Sequence, residues 1–295
     1  MNRLWSQLTI PLVGLSLLGL MLAGPAQATP ERIVSADGAL TEILYALGAD
    51  AQLAGVDTTS LYPPNAQDLP QIGYKRALSV EGVLSLNPDL MLLTDDAGPE
   101  KALLQLDHSR VPMHTFSSEP TLEAVREKIL GVARLLDKLD QGQALWQRIA
   151  REVDAARAAG QQVQRPVKVL FVLGLNDRSP LVAGRNSHAD TMIKLAGGIN
   201  VIDSFDGYKT ISPEAVAMTE ADVVLMMEQR NQATTAEKLF KQPGFSSLPA
   251  ATEHQLIKQD GLLMLGFGPR IGQAVRQLHA AFYPATSLTE VVHAR

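Results

Sequence analysis

Two tyrosines carry the side chains that point most directly to chemistry. One sits in Ile72-Gly73-Tyr74-Lys75-Arg76 and the other in Gly207-Tyr208-Lys209. A phenolate is a hard anionic oxygen donor suited to ferric iron. A free phenol ionises only near pH 10, so at neutral pH it needs a metal bond and a neighbouring cation to hold the charge. Arg76, two residues from Tyr74, can supply that cation or pair with an anionic group on a ligand. The Tyr-x-Arg spacing in a loop permits both. Lys75 and Lys209 are further cations beside the two phenols, although surface lysines are ordinarily just solvated. A lone loop tyrosine is more often a packing or surface residue, so this spacing does not by itself define a metal site.

The other candidate groups mostly exclude functions. The six histidines are His108, His114, His188, His254, His279 and His293, and no two have the spacing of a zinc or manganese cluster. His114 falls near a strand end and reads as structural. His188 follows Arg185-Asn186-Ser187 just before a helix and reads as an N-cap or surface residue rather than a ligand. Cysteine is absent, which removes disulfides, thiolate metal sites, thiol nucleophiles and a lipid-bearing N-terminal Cys. There is no Gly-x-Ser-x-Gly elbow, so no enzyme is expected. The net charge of −5 and pI near 5.7 give no basic footprint for nucleic acid.

The elements that would position these residues follow from periodicity. Arg3, the apolar run Leu8–Leu22 and Ala26-Gln27-Ala28 have the layout of a cleavable secretory signal peptide over residues 1–28. From Arg32 the chain alternates short apolar strands with amphipathic helices: Ile33-Val34, a helix over Leu40–Leu47, then Leu53–Val56, Leu90–Leu93 and Val111–Phe116. That predicts an α/β lobe with a mainly parallel sheet over residues 29–118. From Thr121 to Gly160 the apolar spacing is helical throughout. A long connecting helix is expected within 119–162, with Gln141-Gly142 as its weakest point. Strands resume at Val167–Leu173, Leu181–Ala183, Val223–Met227 and Leu262–Leu265, predicting a second α/β lobe over 163–295.

An internal repeat joins the lobes. Ser79, Glu81, Val83 and Asp89 recur as Ser212, Glu214, Val216 and Asp222 at one constant offset, and the Gly-Tyr-Lys triplets match after a one-residue gap. Each serine can cap a helix whose first turn carries the glutamate. Tyr74 and Tyr208 therefore precede equivalent helices, one in each lobe, as expected of two lobes facing a ligand cleft.

With these features the mature chain resembles, nearly end to end, the substrate-binding proteins of ABC importers for vitamin B12, ferric siderophores and haem. Arg32-Ile33-Val34-Ser35, Leu40-Thr41-Glu42-Ile43 and Gly55-Val56-Asp57 resemble the first lobe of that group. So does Glu81-Gly82-Val83-Leu84-Ser85-Leu86-Asn87-Pro88-Asp89-Leu90. Leu195-Ala196-Gly197-Gly198 and Gly266-Phe267-Gly268-Pro269-Arg270 resemble the second. Within the group, Ile72–Ser79, Val182-Ala183-Gly184-Arg185-Asn186 and Gly207-Tyr208-Lys209 resemble the haem-binding branch. The resemblance implies two Rossmann-like lobes joined by a long rigid backbone helix, with the ligand cleft between them. It implies haem as the transported ligand, with no catalytic cofactor, and Tyr74 as the axial ligand of the haem iron. Arg76 would support that phenolate, and Tyr208 would contact the porphyrin from the opposite lobe. Glu81 and Glu214 would dock a periplasmic, monomeric protein onto an ABC permease dimer. A cobalamin or ferric-siderophore binder of the same fold is the alternative.

Overall fold

The computed structural model describes residues 29–161, 163–176, 179–228 and 234–284. The expected signal peptide and His293 lie outside them. The first lobe runs β1 (Ile33–Ser35), α1 (Gly38–Ala46), β2 (Leu53–Val56), β3 (Gly73–Tyr74), β4 (Ala77–Leu78), α2 (Val80–Ser85), β5 (Leu90–Thr94), α3 (Glu100–His108) and β6 (Met113–Phe116). Its main sheet is parallel, in the order β2-β1-β5-β6, while β3 and β4 form a separate hairpin. β1 and β5 are buried along their whole length, which is why both read as continuous apolar runs rather than alternating ones.

The connector is two helices, α4 (Leu122–Leu135) and α5 (Leu139–Gln161). The break falls at Asp137, which takes φ 54°, and not at Gln141-Gly142, which lies inside α5. Here Lys138 Nζ donates to the carbonyls of Leu47 and Gly48 at 2.9 and 3.2 Å, satisfying the end of α1. α5 packs on α4 along one side and on elements of the second lobe along the other. At 1.5 Å per residue it is about 35 Å long. One apolar cluster runs from Ile33 and Leu40 through Val125, Ile129, Leu145 and Val153 to Phe171, Val275 and Phe282, so both lobes share a core with the connector and large hinge motion would break it.

The second lobe runs β7 (Lys168–Asn176), β8 (Ser179–Ala183), α6 (His188–Leu195), β9 (Ile199–Asn200), β10 (Tyr208–Thr210), α7 (Pro213–Ala217), β11 (Val223–Glu228), α8 (Ala236–Phe240), α9 (Pro249–Thr252), β12 (Leu256–Asp260), α10 (Gly261–Leu265) and α11 (Ile271–Phe282). The sheet order is β10-β8-β7-β11-β12, with β9 pairing β7. The Leu262–Leu265 run, expected as a strand, is α10. The strand is Leu256–Asp260, whose polar residues suit an edge position, and Asp260 Oδ1 caps α10 by accepting from Leu263 N at 2.6 Å.

The internal repeat is a structural one. Ser79 Oγ accepts from Gly82 N at 3.0 Å and Ser212 Oγ from Ala215 N at 3.3 Å. Asn87 and Glu220 take matching left-handed conformations, φ 45° and 49°. Asp89 then accepts from Arg32 N and Asp222 from Lys168 N, both at 3.0 Å, each tying its lobe's first strand to the strand that follows the repeat.

Candidate functional site

The first lobe presents the carboxyl ends of β1, β2 and β5 to the cleft, the usual ligand edge of an open parallel sheet. Asp37, just past β1, caps α1 through Oδ1, which accepts from Ala39 N and Leu40 N at 2.8 and 3.2 Å. Its Oδ2 accepts from Lys75 Nζ at 2.9 Å, and Lys75 also pairs with Asp96 Oδ1 at 3.0 Å. Asp96, past β5, takes a second cation: Arg76 donates from Nε and Nη2 to Asp96 Oδ2 at 3.1 and 2.6 Å. Thr94 Oγ1 completes the set at 2.7 Å. Burial opposes ionisation of Asp96, but bonds from Thr94, Arg76 and Lys75 outweigh it and hold the carboxyl far below the usual range. Arg76 is correspondingly more basic, first through its bonds to Asp96.

This network orients Arg76. One edge of the guanidinium is committed to Asp96, and the charge lies within electrostatic reach of both Tyr74 and Tyr208. The structure thus brings together the three residues expected at the site, from two lobes. Tyr74 leaves the hairpin behind Gly73, whose φ of 94° suits glycine and whose Cβ would meet the Ala77 carbonyl at 2.8 Å. Its ring stays 42% exposed. Tyr208 follows the similar Gly207 (φ 71°) but is turned inward. Its phenol pKa is raised by burial, against hydrogen bonds to the Ala189 backbone and the Ser187 side chain and the pull of Arg76. Its ring stands edge-on to Phe171, with centroids 6.4 Å apart. The repeat therefore yields one open phenol and one partly buried one.

Lys75 is no solvated lysine: its side chain is 15% exposed and locked between two aspartates. Lys209 stays on the rim, 5.7 Å from the Phe205 ring centroid. Ser187, not His188, caps α6. His188 is instead half-buried between the lobes, edge-on to Phe267 at 5.2 Å. Burial, then the charges of Lys128 and Lys75, push its pKa down, so it is neutral at neutral pH. His114 stacks obliquely on Phe116 within β6. Lys128, 3% exposed on α4, is held less basic by burial. It falls in the apolar rhythm of its helix, and only its type, an ionisable residue on the inward face, could have marked it. Among the described residues no group of three or more His, Asp or Glu could hold a metal ion, and no helix is long and apolar enough to cross a membrane.

The lobes meet again at Glu42 on α1. Arg270 donates from Nε to Glu42 Oε2 at 2.7 Å and from Nη2 to Oε1 at 2.5 Å. Burial raises the Glu42 pKa despite these bonds. Removing the partner of a fully buried charge costs about 3–5 kcal/mol, and Arg270 keeps 18% side-chain exposure, so Glu42→Gln is expected to lower stability by about 2 kcal/mol, read as a lower urea midpoint with the slope unchanged. Asp96→Asn should cost less, about 1–2 kcal/mol, because its site is partly solvated. Its depressed folded pKa makes that contribution full above the unfolded value near 4 and lost as pH falls through the folded one. The stability gap between wild type and Asp96→Asn should therefore close on acidification.

Glu81 and Glu214 stand apart from this cluster, exposed in the first turns of α2 and α7. The Ser212 side chain holds the Glu214 carboxyl below its usual value.

The arrangement is a polar, cation-bearing cleft between two similar lobes, and the family described as periplasmic binding protein matches residues 33–261. The chain belongs to that family. It is similar to the periplasmic haem-binding protein RhuT from Roseiflexus sp. RS-1, at 39% identity and TM-score 0.82, covering 87% of this chain and 99% of that one. It is also similar to the periplasmic haem-binding protein BhuT solved with two haems, at 42% identity and TM-score 0.82 over 86% and 98% of the chains. A vitamin B12-binding protein of Pectobacterium carotovorum is 27% identical over 213 residues, 71% of this chain and 76% of that protein. The two-lobed α/β fold of a substrate-binding protein, expected from sequence, is thereby shown.

Proposed function

We propose that this protein captures ferric haem in the periplasm, holds its iron through the Tyr74 phenolate, and delivers it to an ABC permease dimer. The observation that carries the reading is the open Tyr74 phenol beside an Arg76 guanidinium fixed by Asp96. A ferric ion bonded to Tyr74 would supply the main drive for its ionisation, and Arg76 would stabilise the charge that forms. Arg76 keeps one edge free for the phenolate or a haem propionate. Tyr208 serves as a wall of the cleft from the second lobe, and its burial, which makes the phenol harder to ionise, makes it a poor second iron ligand. The shared core through α5 fits a largely preformed site, so release would need the permease to prise the lobes apart. Residues 1–28 as a cleaved leader agree with a periplasmic location.

Full-length similarity to haem-binding structures at 39% and 42% identity supports the ligand. Cobalamin is the second reading, favoured by relatives named for vitamin B12 at 26–28% identity. Absorption titrations of the mature protein with ferric haem and with cyanocobalamin separate the two. Saturable haem binding with tyrosinate-type bands and no cobalamin uptake is expected; the reverse would overturn the proposal.

A further inference from the structure

The Gly266–Arg270 segment takes no part in the Tyr74–Arg76 cluster, yet it bridges the lobes through Arg270 and Glu42. Phe267 is buried with φ 47°, an uncommon conformation for a bulky side chain. A Cβ on Gly268 would lie 3.2 Å from Cβ of Ala39 in the first lobe, a tight approach of the segment to α1 that glycine accommodates without displacing its neighbour. Beyond it Arg270 pairs with Glu42, and its guanidinium carbon sits 3.7 Å from the ring centroid of Tyr62. That is face-on stacking of a cation on an aromatic ring.

Tyr62 belongs to the loop leaving the cleft end of β2. The loop is fixed by a buried hydroxyl chain: Ser60 Oγ donates to Asp57 Oδ1 at 3.0 Å and contacts Thr41 Oγ1 at 2.8 Å. Thr58 N donates to the Gly73 carbonyl at 3.0 Å, joining this loop to the one that carries Tyr74. The Tyr62 ring is nonetheless 43% exposed, next to Leu61 at 42% and in the same lobe as Tyr74 at 42%. A large aromatic ring is thus left open while an arginine from the other lobe, itself fixed by a buried glutamate, covers part of it. The contact joins the lobes, and by fixing a ring that stays partly exposed it also preorganises a stacking surface.

We propose that Tyr62 is a ligand-contacting platform for a flat aromatic macrocycle. Arg270 is its positioning residue, and Glu42 orients Arg270. The inference rests on the haem reading and assigns that ligand a second, iron-independent contact.

The test uses the mature protein with ferric haem and with iron-free protoporphyrin, followed by absorption and by quenching of intrinsic fluorescence. Tyr62→Ala, at an exposed ring, should weaken both porphyrins about tenfold and leave the tyrosinate-type bands of the haem complex in place. Tyr62→Phe should bind as wild type. Arg270→Met should weaken binding severalfold, and this loss should vanish in a Tyr62→Ala background. Unchanged binding of both porphyrins by Tyr62→Ala would sink the platform while leaving haem as ligand. An Arg270→Met loss that persists without the Tyr62 ring would sink the positioning role. A wild type that binds neither porphyrin would overturn the haem reading and this inference with it.

Discussion

Tyr74→Phe is expected to weaken ferric haem binding by at least about 100-fold and to abolish the tyrosinate-type absorption bands, because a coordinate bond is lost and no donor stands ready to replace it. The nearest alternatives are accounted for by the structure. Tyr208 is partly buried, and that burial makes its ionisation harder. His188 is neutral, but its half-buried ring is held edge-on to Phe267. The fold should not notice the substitution: the Tyr74 side chain is 42% exposed and its hydroxyl supports no element, so the thermal midpoint should stay within the range of ordinary surface changes. Iron-free protoporphyrin, which forms no axial bond, should bind wild type and Tyr74→Phe alike. Bands and affinity that survive in Tyr74→Phe would keep the fold and family and remove Tyr74 as iron ligand.

The residues show which parts of this site a sequence can reveal. Caps, first-turn glutamates and positive-φ positions are local, so the Ser79/Ser212 repeat announced two equivalent units, and both formed. Tyr74 and Arg76 were legible because one short loop carries both. The Arg76–Asp96 and Lys75–Asp37 bonds were not, because the partners come from the ends of different strands, 20 and 38 residues away. The same holds for Glu42–Arg270, 228 residues apart. The repeat also has a limit. Equivalent backbone positions did not extend to equivalent surroundings: β10 is an edge strand laid on β8 and carries a partly buried Tyr208, whereas the β3–β4 hairpin is separate from the main sheet and leaves Tyr74 exposed. Leu262–Leu265 read as a strand because a short apolar run has no period of its own; Asp260, accepting from Leu263 N, settles it as helix.

Neutralising Glu81 and Glu214 together should separate binding from transport. Glu81 and Glu214 are exposed, sit in matching first turns, and lie apart from the Tyr74–Arg76 cluster. Glutamine keeps their size and the serine caps behind them, so Glu81→Gln and Glu214→Gln should bind haem as tightly as wild type and melt at nearly the same temperature. If the two carboxylates dock the protein on the permease, neutralising either one should weaken that docking about tenfold. The two sites lie in separate lobes with no shared partner, so the two effects should multiply to about 100-fold in the double variant. Much of this should appear in the association rate and fade at high salt, as expected for exposed charges screened over roughly 8–10 Å. Haem uptake by cells or by permease-loaded vesicles is the readout, with haem affinity of the free protein as the control. Uptake unchanged in the double variant would assign both glutamates to helix dipole stabilisation alone. Uptake lost in only one single variant would show that the permease reads one lobe, and that the symmetry of the repeat belongs to the fold rather than to docking.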